Sequence, residues 1–205
     1  MNNLDSLIKH FEEFPGVGAR QARRFAFHLL TRSPSDIEEI AALISNLQAN
    51  VAQCTNCFRF FARSGGTQSD CSICIDSNRD RSKLMIVERD SDVVAVERSR
   101  VYEGLYFVLG GTIPLLSSKE ASGLRGGALK ATIDTRIENG LTEIILAFAV
   151  NPDGENTSRY VASLLAQQVE QKGLTITELG RGLSTGSELE YADPETIKNA
   201  ITHRG

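Results

Sequence analysis

Leu84-Met85-Ile86-Val87, followed at once by Glu88, is the stretch on which the reading of the fold turns. A short unbroken apolar run of this kind suits a strand buried on both faces of a largely parallel sheet. Three more runs follow in the same half of the chain: Val93-Val94-Ala95-Val96, Leu105-Tyr106-Phe107-Val108-Leu109 and Ile144-Ile145-Leu146-Ala147-Phe148. Between and after them, Ala128 to Glu138 and Thr157 to Lys172 carry helical spacing, and Leu174-Thr175-Ile176-Thr177 reads as a closing strand. A tail helix begins after Asp193-Pro194, with Asp193 as N-cap and Pro194 in the first helical position. From about residue 80 the expectation is therefore α/β, a mainly parallel sheet with flanking helices.

The N-terminal side of that boundary has a different texture. Residues 3 to 32 read as two short helices broken at Phe14-Pro15-Gly16-Val17-Gly18, with Leu4, Leu7, Ile8 and Phe11 at helical spacing before the break. Ala22, Phe25, Ala26 and Leu29 repeat that spacing after it. A further helix runs from Ser35, an N-cap with Glu38 three residues on, to about Val51. The expected division is 1–53 for the helical region, 54–78 for a cysteine-bearing ribbon, 79–178 for the α/β domain and 179–205 for a C-terminal segment.

Gly16, Val17 and Gly18 allow a tight hairpin whose backbone N–H groups face outward at the start of a helix. Those groups and the helix dipole suit a phosphate oxygen. Arg20, Arg23 and Arg24 follow, and Arg20 and Arg24 share one helical face. Such an arrangement grips a nucleic-acid backbone without reading bases. The plainer reading is a helix-turn-helix packing corner with solvated arginines, but the whole pattern resembles the helix-hairpin-helix motif.

Cys54-x-x-Cys57 and Cys71-x-x-Cys74, separated by thirteen residues, form the second motif. Each pair can present two thiolates, and two such knuckles complete a tetrahedral zinc site with no open position, hence a structural one. Four free thiols are the alternative. The third motif is acidic. Glu88 ends one expected strand, and Asp153-Gly154-Glu155 follows another just ahead of the helix expected at Thr157. Carboxylates at strand C-termini converge on one edge of an open α/β sheet, and three of them could hold Mg²⁺ beside phosphates. This pattern resembles the Toprim domain, although solvated loop acids would look the same. Gly110-Gly111 and Gly126-Gly127 read as turns, Gly180-Arg181-Gly182 as a turn after the closing strand, and His10, His28 and His203 as isolated residues.

Composition limits the function. The chain of 205 residues is 41% hydrophobic and 23% charged, with a net charge of −4. A globally basic nucleic-acid coat is excluded, so any DNA contact must come from a local basic patch. No run approaches the roughly 18–20 apolar residues that cross a bilayer. The first residues lack a secretory pattern, so a cytoplasmic protein with reduced cysteines is expected.

The order of hairpin, four-cysteine ribbon and Toprim-like domain resembles the RecR family of bacterial recombination mediators. Phe14 to Gly18, Ala26-Phe27-His28-Leu29-Leu30, Arg79-Asp80-Arg81-Ser82 and Gly104 to Gly111 carry the resemblance, with Arg181-Gly182-Leu183 and Glu188-Leu189-Glu190-Tyr191 near the end. Departures are the long cysteine spacer, Arg89 in place of a second acidic residue, and Phe148 to Pro152 for a usual Thr-Asn-Pro. The segment 112–127 follows no family pattern, and Ser184 to Ser187 replaces Pro-Val-Gly-Gly. The resemblance implies a protein without catalysis that works with RecF and RecO to place RecA on single-stranded DNA covered by SSB. It also implies a homo-oligomer, able to form a ring tetramer. The competing readings are a compact Mg²⁺-dependent Toprim nuclease using Glu88, Asp153 and Glu155, and a zinc-ribbon adaptor that binds protein alone.

Overall fold

Parallel strands need long crossovers, and the helices that supply them cover both sheet faces. The computed structural model, which describes residues 2–63, 68–115, 123–180 and 194–202, shows this arrangement. Strands β3 (Asp80–Val87), β4 (Gly104–Val108), β5 (Glu143–Ala147) and β6 (Thr175–Glu178) lie side by side in the order β4-β3-β5-β6. All three pairings are parallel, with Leu84 opposite Leu105 on one side and Ile144 on the other. Leu84, Ile86, Val87, Tyr106, Phe107 and Ile144 are sealed from solvent, as the unbroken apolar runs require.

The crossovers are α5 (Asp90–Ser99), α6 (Gly126–Glu138) and the pair α7 (Pro152–Leu164) and α8 (Ala166–Lys172). Val93 to Val96 thus belongs to a helix, contrary to its reading as a strand. Asp92 accepts the Arg89 backbone N–H at 2.8 Å, closing the first turn, and burial then falls on Val93, Val96 and Glu97 with helical rather than alternating period. Gly126-Gly127 is likewise no turn. Gly126, Leu129 and Ile133 are buried at helical spacing, so the packed face of α6 already begins at its first residue. The helix expected from Thr157 starts five residues earlier. Asn151 accepts the Gly154 N–H at 2.8 Å and Pro152 occupies the first helical position, which places Asp153 and Glu155 inside the first turn. A break at Leu165 divides the expected span into α7 and α8.

The chain separates into two compact units, residues 1–51 and 52–205. The first contains α1 (Asn3–Glu12), α2 (Ala19–Leu29) and α3 (Pro34–Asn50). Ser33, not Ser35, caps α3, because Pro34 takes the first helical position and the Ser33 hydroxyl accepts from the Asp36 N–H at 3.2 Å. The second unit contains the four-stranded sheet, the short α4 (Ser72–Ile75) and β2 (Phe60–Ala62), which pairs with β1 (Val51–Gln53), a strand that begins on the last residue of the first unit. The helix α9 (Pro194–Thr202) follows the second unit's sheet in sequence. Residues 181–193 and 203–205, which carry the Arg181 and Glu188 motifs, the proposed cap Asp193 and His203, lie outside the described residues.

One polar network fastens α5 to the sheet. The Arg79 guanidinium, at the foot of β3, pairs through both terminal nitrogens with Glu97, and the Tyr106 hydroxyl donates to the same carboxylate at 2.6 Å. Arg79 holds the Glu97 carboxyl below its ordinary range and Tyr106 adds to the effect, against partial burial. A depressed pKa means that the contribution is complete at neutral pH and is lost as pH falls through the ordinary carboxylate range to the folded value. Glu97→Gln should lower stability by about 1–3 kcal/mol at pH 7. Urea titrations across pH should show the gap between variant and parent closing in acid; a gap that is constant with pH would assign the loss to packing.

Candidate metal centre and nucleic-acid interface

The hairpin between α1 and α2 is closed by its own backbone. Phe14 N–H donates to the Phe11 carbonyl at 3.2 Å, and Val17 N–H to the Phe14 carbonyl at 3.0 Å. Gly16 sits at φ +77°, a left-handed conformation that glycine adopts without Cβ strain. Phe11 packs on Phe14 and edge-on against Phe25, both at 6.0 Å, and Ala22 and Ala26 are fully buried beneath. Gly18 is the N-cap of α2, and no side chain caps that terminus. The first N–H groups of the helix therefore have no intrahelical acceptor and are left for solvent or an anion. Arg20, Arg23 and Arg24 are exposed on the following turns, Arg24 donating to Gln21 at 3.4 Å. The positions read from sequence as phosphate contacts thus lie together on one turn and the helix that follows it.

The cysteine ribbon is built by two knuckles and one carboxylate. Phe58 N–H donates to the Cys54 carbonyl and Cys74 N–H to the Cys71 carbonyl, each at 3.0 Å, which turns both Cys-x-x-Cys segments inward. Asp70 joins them: its Oδ1 accepts from Thr55 Oγ1 and Asn56 Nδ2, both at 2.7 Å. This role of Asp70 had no sequence signal beyond its place next to Cys71. The four sulfurs all lie within 4.8 Å of one another, with Cys54, Cys57 and Cys71 buried and Cys74 half-buried. Cys71 N–H donates to the Cys54 sulfur at 3.3 Å, a contact that favours thiolate. The Cys57 thiol is pushed far up, first by the Cys54 sulfur and then by Cys71 and Cys74, with burial adding; hydrogen bonds from Cys57, Cys71 and Cys74 hold Cys54 low. Four thiolates this close repel one another unless a cation lies among them, so the cluster suits a bound metal ion.

The ribbon is not a separate lobe. Val108 N–H, at the end of β4, donates to the Cys57 carbonyl at 2.8 Å, and Phe58 packs on Phe107 at 5.2 Å. The buried cysteines share one core with the sheet.

Glu88 directly follows β3, and Asp153 and Glu155 stand in the first turn of α7, after β5, at the strand ends from which the connections leave toward opposite sides of the sheet. That is where ligands bind in open α/β folds. Glu88 pairs with Arg89 at 2.6 Å. Asp153 accepts the Leu115 N–H at 2.9 Å, anchoring segment 112–115 to α7, and Ile113 N–H donates to Thr157 at 2.8 Å beside it. Glu155 lines a cavity of about 220 Å³ with Ser158, Glu178 and Leu179. Each of the three carboxylates thus has surroundings of its own, and among the described residues only the cysteines form a group of three or more potential ligands within 4.8 Å.

Replacing Cys71 by Ser should lower the metal content of the purified protein and its melting temperature together, the latter by on the order of 10 °C. Elemental analysis and thermal denaturation of the same preparation read both quantities; metal retained at one ion per chain would show that Cys71 is no ligand.

Comparison with known proteins unites these parts. The sequence matches the Toprim domain over residues 82–179, the RecR helix-hairpin-helix over 4–47 and the RecR C-terminal region over 182–204. It is 38% identical over 204 residues to Recombination protein RecR of Mycobacterium leprae, covering 98% of this chain and 96% of that protein. Recombination protein RecR of Staphylococcus saprophyticus is 36% identical over 201 residues, and that of Mycobacterium avium 36% over 204, each with the same coverage. The three matched regions follow one another along the chain, hairpin first, and the identity extends across nearly the whole of both chains: this chain belongs to the RecR family of recombination proteins.

Proposed function

We propose that this protein is a DNA-binding recombination mediator, acting with RecF and RecO to load RecA onto SSB-covered single-stranded DNA. The observation that carries the reading is the hairpin. An uncapped helix start, a left-handed glycine and exposed Arg20 and Arg24 stand together in a chain whose net charge is −4. The membership in the RecR family supplies the recombination context. The backbone at Gly16, Val17 and Gly18 takes one phosphate and the two arginines take its neighbours, so binding is independent of sequence. The working form is a homo-oligomer, a ring tetramer by family resemblance, acting in the cytoplasm. No described helix is long and apolar enough to cross a membrane.

Zinc is the metal we assign to Cys54, Cys57, Cys71 and Cys74. Tetrahedral zinc with thiolate ligands separates its sulfurs by about 3.8 Å, and Cys57 and Cys71 stand 3.6 Å apart. With all positions filled by sulfur, the ion would supply structure and no catalysis.

Glu88, Asp153 and Glu155 serve docking of a basic partner surface, RecO, rather than phosphodiester chemistry. Asp153 also fastens segment 112–115, and a carboxylate committed to a loop is poorly free to ligate Mg²⁺. The nuclease reading makes the opposite demand, that purified protein cut DNA with Mg²⁺ and that Glu88→Gln abolish the cutting.

Arg20→Ala with Arg24→Ala should weaken DNA affinity about tenfold or more and reduce the log–log salt slope by about 2. Fluorescence anisotropy with two unrelated DNA sequences checks this, and unchanged affinity would remove the hairpin from the interface. Glu88→Lys with Glu155→Lys, which spares the Asp153 loop contact, should reduce co-elution with RecO while DNA affinity is kept or raised. Undiminished co-elution would remove the acidic crevice from the docking surface.

A further inference from the structure

The unit spanning residues 52–205 contains a cavity of about 490 Å³ between the first cysteine knuckle and α6, within the usual range for small-molecule sites. Its lining has two characters. Leu105 is buried and Phe58 and Ala128 half-buried, giving an apolar wall. Arg81, from the start of β3, and Arg136, from the last turn of α6, give two cations. Neither arginine takes part in an ion pair among the described residues. None of the lining residues is acidic, in a chain with 26 Asp and Glu against 22 Lys and Arg. The local sign is therefore opposite to that of the molecule.

The polar groups are set in place by the protein itself. Asn56 Nδ2 is held by Asp70 at 2.7 Å and Asn139 Nδ2 donates to the Thr135 carbonyl at 2.8 Å, which leaves both amide oxygens as fixed acceptors. Phe58 is held at φ +62°, a left-handed conformation that is costly for a residue with a side chain. Its ring packs against Phe107 at 5.2 Å, with the Arg125 guanidinium 5.6 Å away over it, so this part of the wall is rigid.

We propose that this cavity is a nucleotide subsite: Arg81 and Arg136 take the phosphate, the apolar wall takes the base, and the Asn56 and Asn139 oxygens accept from its amino group or ring N–H. A free nucleoside monophosphate and one unit of a DNA strand present the same chemistry. Every lining residue lies in the 52–205 unit, so none of them belongs to the helix hairpin. A competing role exists for the arginines. Cys74 lines the same cavity, and two cations there would screen a thiolate cluster.

The test uses full-length protein with two probes, dTMP and fluorescein-labelled oligo(dT), and two variants. Arg81→Gln with Arg136→Gln removes the charge; Ala131→Trp, at an exposed lining position, fills the space and keeps both arginines. Each variant should bind oligo(dT) about tenfold more weakly, also in an Arg20→Ala, Arg24→Ala background, which separates this subsite from the hairpin. Loss of dTMP binding as well identifies the free nucleotide as a ligand, and loss for oligo(dT) alone identifies the strand. Unchanged binding of both probes by Ala131→Trp overturns the proposal. So does a double Gln variant that loses metal while its probe binding is unaltered, which would assign the arginines to screening.

Discussion

Adjacent parallel strands cannot be joined by a tight turn, and every backbone group between their crossovers must be satisfied inside the sheet. That constraint organises residues 80–178. It makes β3 a strand with partners on both sides, requires a helix after each strand, and leaves the strand C-termini facing one common edge. Because β4 lies on one side of β3 and β5 and β6 on the other, the chain must cross back, and the crevice opens where it does. Topology alone brings Glu88 and Asp153 to the same end of the sheet, since they are 65 positions apart in sequence but β3 and β5 are neighbours.

The cysteine ribbon meets a second constraint of the same sheet. β4 is an edge strand, with a row of donors and acceptors facing away from β3. The knuckle carbonyl of Cys57 takes one of those donors, and Phe58 extends the core past the edge. Cysteine clustering and sheet completion are thus parts of one packing solution. This explains why the ribbon and the Toprim-like fold form one compact unit, while the helices of residues 1–51 form another.

Much of this was legible in the residues. The break at Pro15-Gly16 between two helical patterns, the paired Cys-x-x-Cys knuckles and the apolar runs at 84–87, 105–109 and 144–148 each carry a local signal strong enough to survive without tertiary context. Val93 to Val96 shows where that reasoning stops. Four apolar residues in a row fit a strand or a buried helical turn equally well, and the decision came from Asp92 capping the turn and from the spacing of burial. Glu88, Asp153 and Glu155 illustrate a different limit. Sequence shows which edge of the sheet they approach, but not that Asp153 would be engaged by Leu115 N–H, a partner 38 residues away. Arg136 had no sequence signal, and Arg81 stood out only as part of the Arg79-Asp80-Arg81-Ser82 stretch that carries the resemblance; nothing pointed to either as a binding residue until the fold placed both on one cavity.

The hydrogen bond from Val108 to Cys57 ties the cysteine knuckle to the open edge of the sheet. Oxidation of the thiolates would release the knuckle that covers the end of β4. An uncovered edge strand with apolar neighbours is a template for pairing with another chain. Oxidative damage to this protein would then surface as self-association through the sheet edge rather than as simple loss of a domain, and a cell would meet it as a problem of protein quality control.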